Sequence, residues 1–131
     1  MIVDSSVWID YFRKLITPQS QRVLTSLQSS EPVFLLDVIY QEVLQGAKSP
    51  ESYLQLQNQL DRVQSLAIED TRELHRQAAM LYARCRWQGI TIRSPNDCLI
   101  AAAALEAKMP VLTLDKDFTA IARIEPKLKL I

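Results

Sequence analysis

Short apolar runs alternate with amphipathic helical stretches along the whole chain, and this alternation limits the fold more than any other feature. Ile2-Val3 runs into Asp4, and a helical stretch follows through Val7, Trp8, Tyr11 and Phe12. Thr17-Pro18 interrupts it, and a second stretch carries Val23, Leu24 and Leu27. Pro32 precedes the apolar run 33–36, after which Asp37 is placed to cap a helix ending at Gly46. Pro50 restarts a helix with Tyr53, Leu54, Leu56 and Leu60, and a weaker strand is expected over 64–68. Asp70 or Thr71 opens a long helix that Gly89 ends, and Ser94-Pro95 opens an alanine-rich one that stops by Pro110. Residues 111–114 read as a strand, 117–123 as a short helix, and 127–131 as an edge strand because Lys127 and Lys129 alternate with Leu128 and Leu130. Strand and helix in alternation predict an α/β domain with a parallel sheet between helices. In such sheets ligands sit beyond the C-terminal ends of the strands.

A length of 131 residues predicts one domain over 1–131. Apolar residues at 48% and charged residues at 23% place it in the globular class. The two cysteines, Cys85 and Cys98, lack metal-site spacing and are too few for a disulfide framework, so we expect reduced thiols and a cytoplasmic protein. No apolar run is long enough for a membrane span, and an acid at position 4 in place of a basic segment leads us to expect no signal peptide. Two glycines leave no Gly-rich phosphate loop.

The acids point to chemistry. Asp4 follows the first strand and Asp115 the strand over 111–114, with Asp117 two residues on. The bland account of Asp4 is a helix cap. Glu42 lies three and four residues after Ile39 and Val38, on the apolar stripe of its helix, where an isolated carboxylate is costly. Its partner is either an Arg or Lys, or a cation shared with other acids. Asp97 sits in SPNDCLIAAAALEA, where Ser94, Pro95 and Asp97 also fit a helix cap. Ile100, Ala101 and Ala104 nevertheless put it at the head of a buried stripe, and the small Ala residues lead us to expect this helix close against the sheet. Several acids in one pocket would repel one another, and a hard divalent cation removes that conflict. All-oxygen ligands favour Mg²⁺ or Mn²⁺, ions suited to phosphoryl chemistry. Asp4 is thus expected to be a metal ligand, with Ser6 and Thr113 as hydroxyls that orient water or a carboxylate.

The net charge is zero but uneven. Residues 71–93 carry five Arg (72, 76, 84, 86 and 93) against Glu73 alone. Such a basic helix beside an acidic cluster suits a polyanion. The competing account is a solvated, Arg-rich face. Apolar residues of the first half, among them Trp8, Tyr11, Phe12, Leu54, Leu56 and Leu60, look too many for one interior, so some are expected to form an exposed patch.

The ordered set VDSSVWIDYF, EVLQG, SPNDCLIAAAALE and LTLDKDF, with an acid in each, closely resembles the PIN-domain family across essentially the whole chain, and within it the VapC-type toxins of bacterial toxin–antitoxin pairs. The resemblance implies an α/β/α sandwich with about five parallel strands and a metal-dependent endoribonuclease. It places the family's acidic quartet on Asp4, Glu42, Asp97 and Asp115, with Asp117 supplementing or replacing Asp115 as a metal ligand. Ser6 takes the place of the hydroxyl after the first acid, and Asn96 is positioned to tune Asp97. Arg84, Arg86 and Arg93 are the expected RNA contacts. The implied cofactor is Mg²⁺, with Mn²⁺ an alternative. The implied partners are an RNA substrate, a VapB-like antitoxin and a second copy in a homodimer, with no membrane. Haloacid-dehalogenase phosphatases would need an Asp where Ser6 stands, and receiver domains a mid-chain phosphoacceptor Asp that is missing. The other candidate is a catalytically silent PIN module that binds RNA or a protein; the intact acids argue against it.

Overall fold

The computed structural model describes all residues, 1–131. Its elements follow the expected order: β1 (Ile2–Val3), α1 (Ser5–Phe12), α2 (Pro18–Gln28), β2 (Phe34–Leu35), α3 (Asp37–Gln45), α4 (Pro50–Leu60), β3 (Gln64–Ser65), α5 (Thr71–Trp87), α6 (Pro95–Ala107), β4 (Val111–Leu112) and α7 (Lys116–Ile124). The sheet has four strands in the order β3-β2-β1-β4. The chain is α/β, as its alternation predicts. Contacts divide it into two compact units, Met1–Leu66 with Leu112–Leu114, and Ala67–Val111 with Asp115–Ile131.

In the first unit β1 and β2 pair in parallel with Ile2 opposite Phe34, and β2 pairs with β3 through Phe34–Gln64 and Leu35–Ser65. The Asp4 N–H donates to the Leu112 carbonyl at 2.9 Å, which ties the end of β1 to the end of β4. Local sequence sets the helix starts. Thr17 and Ser49 each make a reciprocal capping box with a serine three residues on, and Pro18 and Pro50 occupy the first helical turn. Ile2, Val3, Val7, Trp8, Val23, Ile39 and Leu60 are fully buried. Trp8 stacks on Phe12 with ring centroids 5.7 Å apart, one helical turn along α1, and meets the edge of Tyr11. Of the six apolar residues from which an exposed patch was expected, Trp8 and Leu60 are core and Leu54 is exposed. The exposed apolar residues of this unit also include Leu15 and Ile16, the latter 87% accessible.

In the second unit α6 packs against α5 and α7. Cys98 and residues 100–104 are all buried. A helix apolar on every side is a central one, and small Ala side chains let its neighbours approach closely. The helix α6 ends at Ala107, where the sequence placed its last alanine, and the chain turns at Lys108 in the left-handed region, φ 53°, before Pro110. Gly89 follows α5 at φ 75°, where glycine costs least. Gly46 instead closes α3 with a right-handed φ of −81°.

Strands are shorter than the apolar runs that encode them. Runs 33–36, 64–68 and 111–114 each contribute two paired residues. The expected edge strand over 127–131 is a single parallel bridge, Val111 to Leu130, so the sheet has four strands, close to the expected number of about five. No helix is long and apolar enough to cross a membrane.

Candidate active site

Asp4 ends β1 in extended geometry and stands at the N-cap position of α1, yet its side chain makes no capping hydrogen bond. Its backbone carbonyl accepts the first helical N–H groups, from Val7 at 3.1 Å and Trp8 at 3.2 Å. The carboxylate is only 3% exposed. Ser6 Oγ donates to Asp4 Oδ2 at 2.6 Å and Thr113 Oγ1 donates to the same oxygen at 3.0 Å. Oδ1 accepts from Ser5 Oγ at 3.5 Å. Ser6 Oγ also accepts from the Leu114 N–H at 3.2 Å, which leaves its proton for Asp4. Burial pushes the Asp4 carboxyl above its ordinary range, and the hydroxyls of Ser6 and Thr113 pull it part of the way back. Asp4 thus makes no side-chain cap bond, and the hydroxyls of Ser6 and Thr113 both donate to its carboxylate.

Glu42 belongs to the same unit. It is half-buried on α3, one turn from buried Ile39 and next to buried Val43. That is the border of the apolar stripe and not its centre.

The second unit holds a tight carboxylate cluster. One oxygen each from Asp97, Asp115 and Asp117 lie within 4.8 Å of one another. Asp97 comes from the first turn of α6 and is 7% exposed. Ser94 is the N-cap residue there, but its side chain makes no capping bond. Asn96 is half-buried in the same turn. Asp115 is the N-cap of α7, its Oδ1 accepting from the Asp117 N–H at 3.0 Å. The capping role thus falls on Asp115. Phe118 and Ile121, both fully buried, anchor the helix that carries this pair.

Arg93 lies between α5 and α6. Its Nη2 donates to Asp115 Oδ1 at 2.6 Å and its Nε to Asp117 Oδ2 at 3.2 Å. Its backbone N–H donates to Asp117 Oδ2 as well, at 2.9 Å. The hydrogen bond to Asp117, followed by the charge of Asp115, raises the guanidinium pKa further. Arg84 is occupied differently, with Nη1 on Glu125 Oε2 at 3.0 Å and Nη2 on the Ile124 carbonyl at 2.6 Å. Arg86 is exposed and makes no ion pair. The sequence offered no signal for the Arg93 contacts, because a residue outside a helix has no periodicity to reveal its partner.

The donor set fits a hard cation. All three clustered ligands are carboxylates, and no His or Cys belongs to the group. Cys98 neighbours Asp97, but burial first, then the nearby Cys85, Asp97 and Asp117, hold its thiol at a pKa of about 12. It remains protonated and is no thiolate ligand.

An oxygen-only acidic cluster suits a hard divalent cation rather than a redox or soft metal. Residues 1–124 match the PIN domain family. A VapC ribonuclease of Mycobacterium bovis and ribonuclease VapC11 of Mycobacterium tuberculosis are each 32% identical over 127 residues, spanning 95% of this chain and 92% of theirs. VapBC2 from Rickettsia felis, solved bound to a promoter DNA fragment, shares the fold with a TM-score of 0.77 at 18% identity, over 99% of this chain and 96% of that one. A toxin–antitoxin complex from Klebsiella pneumoniae gives 0.71 at 17% identity, over 99% and 94%. This chain belongs to the PIN-domain family.

Proposed function

We propose that this chain is an endoribonuclease that hydrolyses RNA phosphodiesters with a divalent cation, and that it is the toxin of a pair with a VapB-like antitoxin. The observation that carries the reading is the Asp97, Asp115 and Asp117 cluster, three carboxylates within 4.8 Å in a chain of this family. The names of the relatives, both ribonucleases, support the substrate. The toxin–antitoxin complexes among the fold relatives support the partner. The family match crosses both compact units, which supports their working as one domain.

In this reading Asp97, Asp115 and Asp117 hold the cation, and Asp4 and Glu42 serve the same reaction. Mg²⁺, or Mn²⁺ in its place, supplies polarisation of the phosphate and a lowered pKa for the attacking water. Ser6 and Thr113 fix the orientation of Asp4 through its Oδ2. Asn96 adjoins Asp97 and tunes it. Water adds to phosphorus in line as the bond to the 3′ oxygen breaks, and the proton passes to that oxygen. The products are a 5′-phosphate and a 3′-hydroxyl.

Of the three Arg expected to contact RNA, Arg86 is the proposed contact, because Arg84 is held by Glu125 and Arg93 by Asp115 and Asp117. Arg86 is the one of the three without an ion pair, so its charge is available to a phosphate at least cost. A homodimer is proposed because Leu15 and Ile16 leave apolar surface in water. The free, buried cysteines support a cytoplasmic setting. Light scattering should give a dimer mass, and co-expression with the antitoxin should give a complex that leaves RNA intact.

The decisive experiment is end-mapping of cellular RNA after induction of the wild type and of Asp97→Asn side by side. New 5′-phosphate ends at defined sites in the wild type alone are expected. Identical RNA profiles would return the chain to a silent binding module.

A further inference from the structure

The contacts of Arg93 stand out because they join the two acids of α7 by one oxygen each. Its fork reaches Asp115 Oδ1 and Asp117 Oδ2, at 2.6 and 3.2 Å. Asp117 Oδ1 accepts no hydrogen bond. Asp115 Oδ1 receives a second donor, the Asp117 N–H, so the same oxygen is held from two directions. The guanidinium is 71% exposed, whereas the carboxylates it holds are 30% and 14% exposed for Asp115 and Asp117. It therefore lies on the outer, wet side of the pair.

We propose that Arg93 is a positioning residue for the metal centre, a clamp that fixes the rotamers of Asp115 and Asp117 by one oxygen each and leaves Asp117 Oδ1 for the cation. The inference rests on the metal-dependent reading above. Ligating carboxylates owe their orientation to hydrogen bonds of this kind, and losing one lowers metal affinity about 10- to 100-fold. Arginine suits the task because its planar fork spans two acceptors, and a lysine ammonium is a single point charge. A simple charge argument gives the opposite sign. A fixed positive charge repels Mg²⁺, so its removal should tighten metal binding. The two accounts are thus separable by direction alone.

Two bonds survive any change of the Arg93 side chain, namely the Arg93 N–H to Asp117 and the Asp117 N–H to Asp115. The expected loss lies accordingly at the low end, about tenfold.

The test uses the full chain and titrates Mn²⁺ and Mg²⁺ by calorimetry into the wild type, Arg93→Lys and Arg93→Gln. Thermal unfolding in EDTA serves to check the fold. Arg93→Lys keeps the charge and loses the fork, so about tenfold weaker binding with a native-like melt is expected. The Mg²⁺ concentration for half-maximal cleavage should rise by the same factor, with the maximal rate recovered at saturating Mg²⁺ and the KM for RNA unchanged. Wild-type affinity in Arg93→Lys, or tighter binding in Arg93→Gln, overturns the clamp. A raised KM for RNA with unchanged metal affinity also overturns it, and makes Arg93 a phosphate contact instead. If the wild type itself binds neither ion, the metal-dependent reading falls and the clamp with it.

Discussion

Replacing Asp97 with Asn should stabilise the metal-free protein, and the size of the gain follows from the cluster geometry. Carboxylate oxygens within 4.8 Å of one another repel by at least about 0.9 kcal/mol per pair in a water-like dielectric and by at least about 3.5 kcal/mol at an effective dielectric of 20. Asp97 belongs to two of the three pairs, so its charge is worth about 2–7 kcal/mol of gross repulsion. The single charge of Arg93 beside the cluster offsets roughly half of this, leaving about 1–3 kcal/mol. Against that stands the favourable place of Asp97 in the first turn of α6, worth about 0.3–1 kcal/mol through the helix dipole. Repulsion wins. Asp97→Asn should be more stable in EDTA by about 1–2 kcal/mol, which for a chain of this size raises the melting temperature by about 3–8 °C. Circular dichroism melts at neutral pH with EDTA measure this directly. Added Mg²⁺ should then raise the melting temperature of the wild type more than that of the variant, since an ion that binds only the native state stabilises it by mass action. A variant that melts lower than the wild type in EDTA would refute the reasoning, for Asp97 would then be a net attractive, structural acid.

Asp4→Asn should leave metal-free stability equal or higher, because burial dominates the raised pKa of Asp4. A raised pKa favours the folded state below the unfolded value of 3.8, and that contribution is lost as pH rises through the folded value; pH-dependent denaturant melts of the variant should lack this component. Glu125 has the opposite sign: its bond to Arg84 lowers its pKa, so its contribution is present above the unfolded value of 4.5 and lost as pH falls through the folded one. Glu125→Gln should cost about 0.5 kcal/mol at neutral pH, and less in high salt, by the same melts. Phe118→Ala removes a fully buried anchor of α7 and should cost about 3–5 kcal/mol in urea titrations. Arg86→Glu should weaken RNA binding and lower its salt slope by at least about 1, as measured by fluorescence anisotropy.

Asp4, Asp97 and Asp115 were legible because each lies at an element boundary that the sequence marks. Asp4 and Asp115 follow apolar runs, and Asp97 heads an Ala-rich stripe whose Pro95 fixes where the helix starts. Periodicity resolves such positions, since strand ends and first turns are defined by local rules. It does not resolve what a loop side chain grasps across 22 or 24 residues, which is why the hold of Arg93 on Asp115 and Asp117 was invisible. Strand length was overestimated for a related reason. An apolar run reports burial, but pairing needs a neighbour in register, and of Lys127–Ile131 only Leu130 finds one, at Val111. A count of apolar residues does not say which of them face out, and here α1 turns Trp8 inward against Phe12 while Leu54 is exposed. The turn at Lys108 had no sequence signal, because a left-handed non-glycine residue breaks the rule that would have announced it.

The most direct test of metal-dependent RNA hydrolysis is a cleavage assay on end-labelled RNA with the purified chain, run with Mg²⁺, with Mn²⁺ and with excess EDTA. Cleavage with either ion, 5′-phosphate and 3′-hydroxyl ends, loss of activity in EDTA and no activity from Asp97→Asn are the expected results. Undiminished cleavage in excess EDTA, or products ending in a 2′,3′-cyclic phosphate, would contradict the account, because neither outcome has a place for a cation held by Asp97, Asp115 and Asp117.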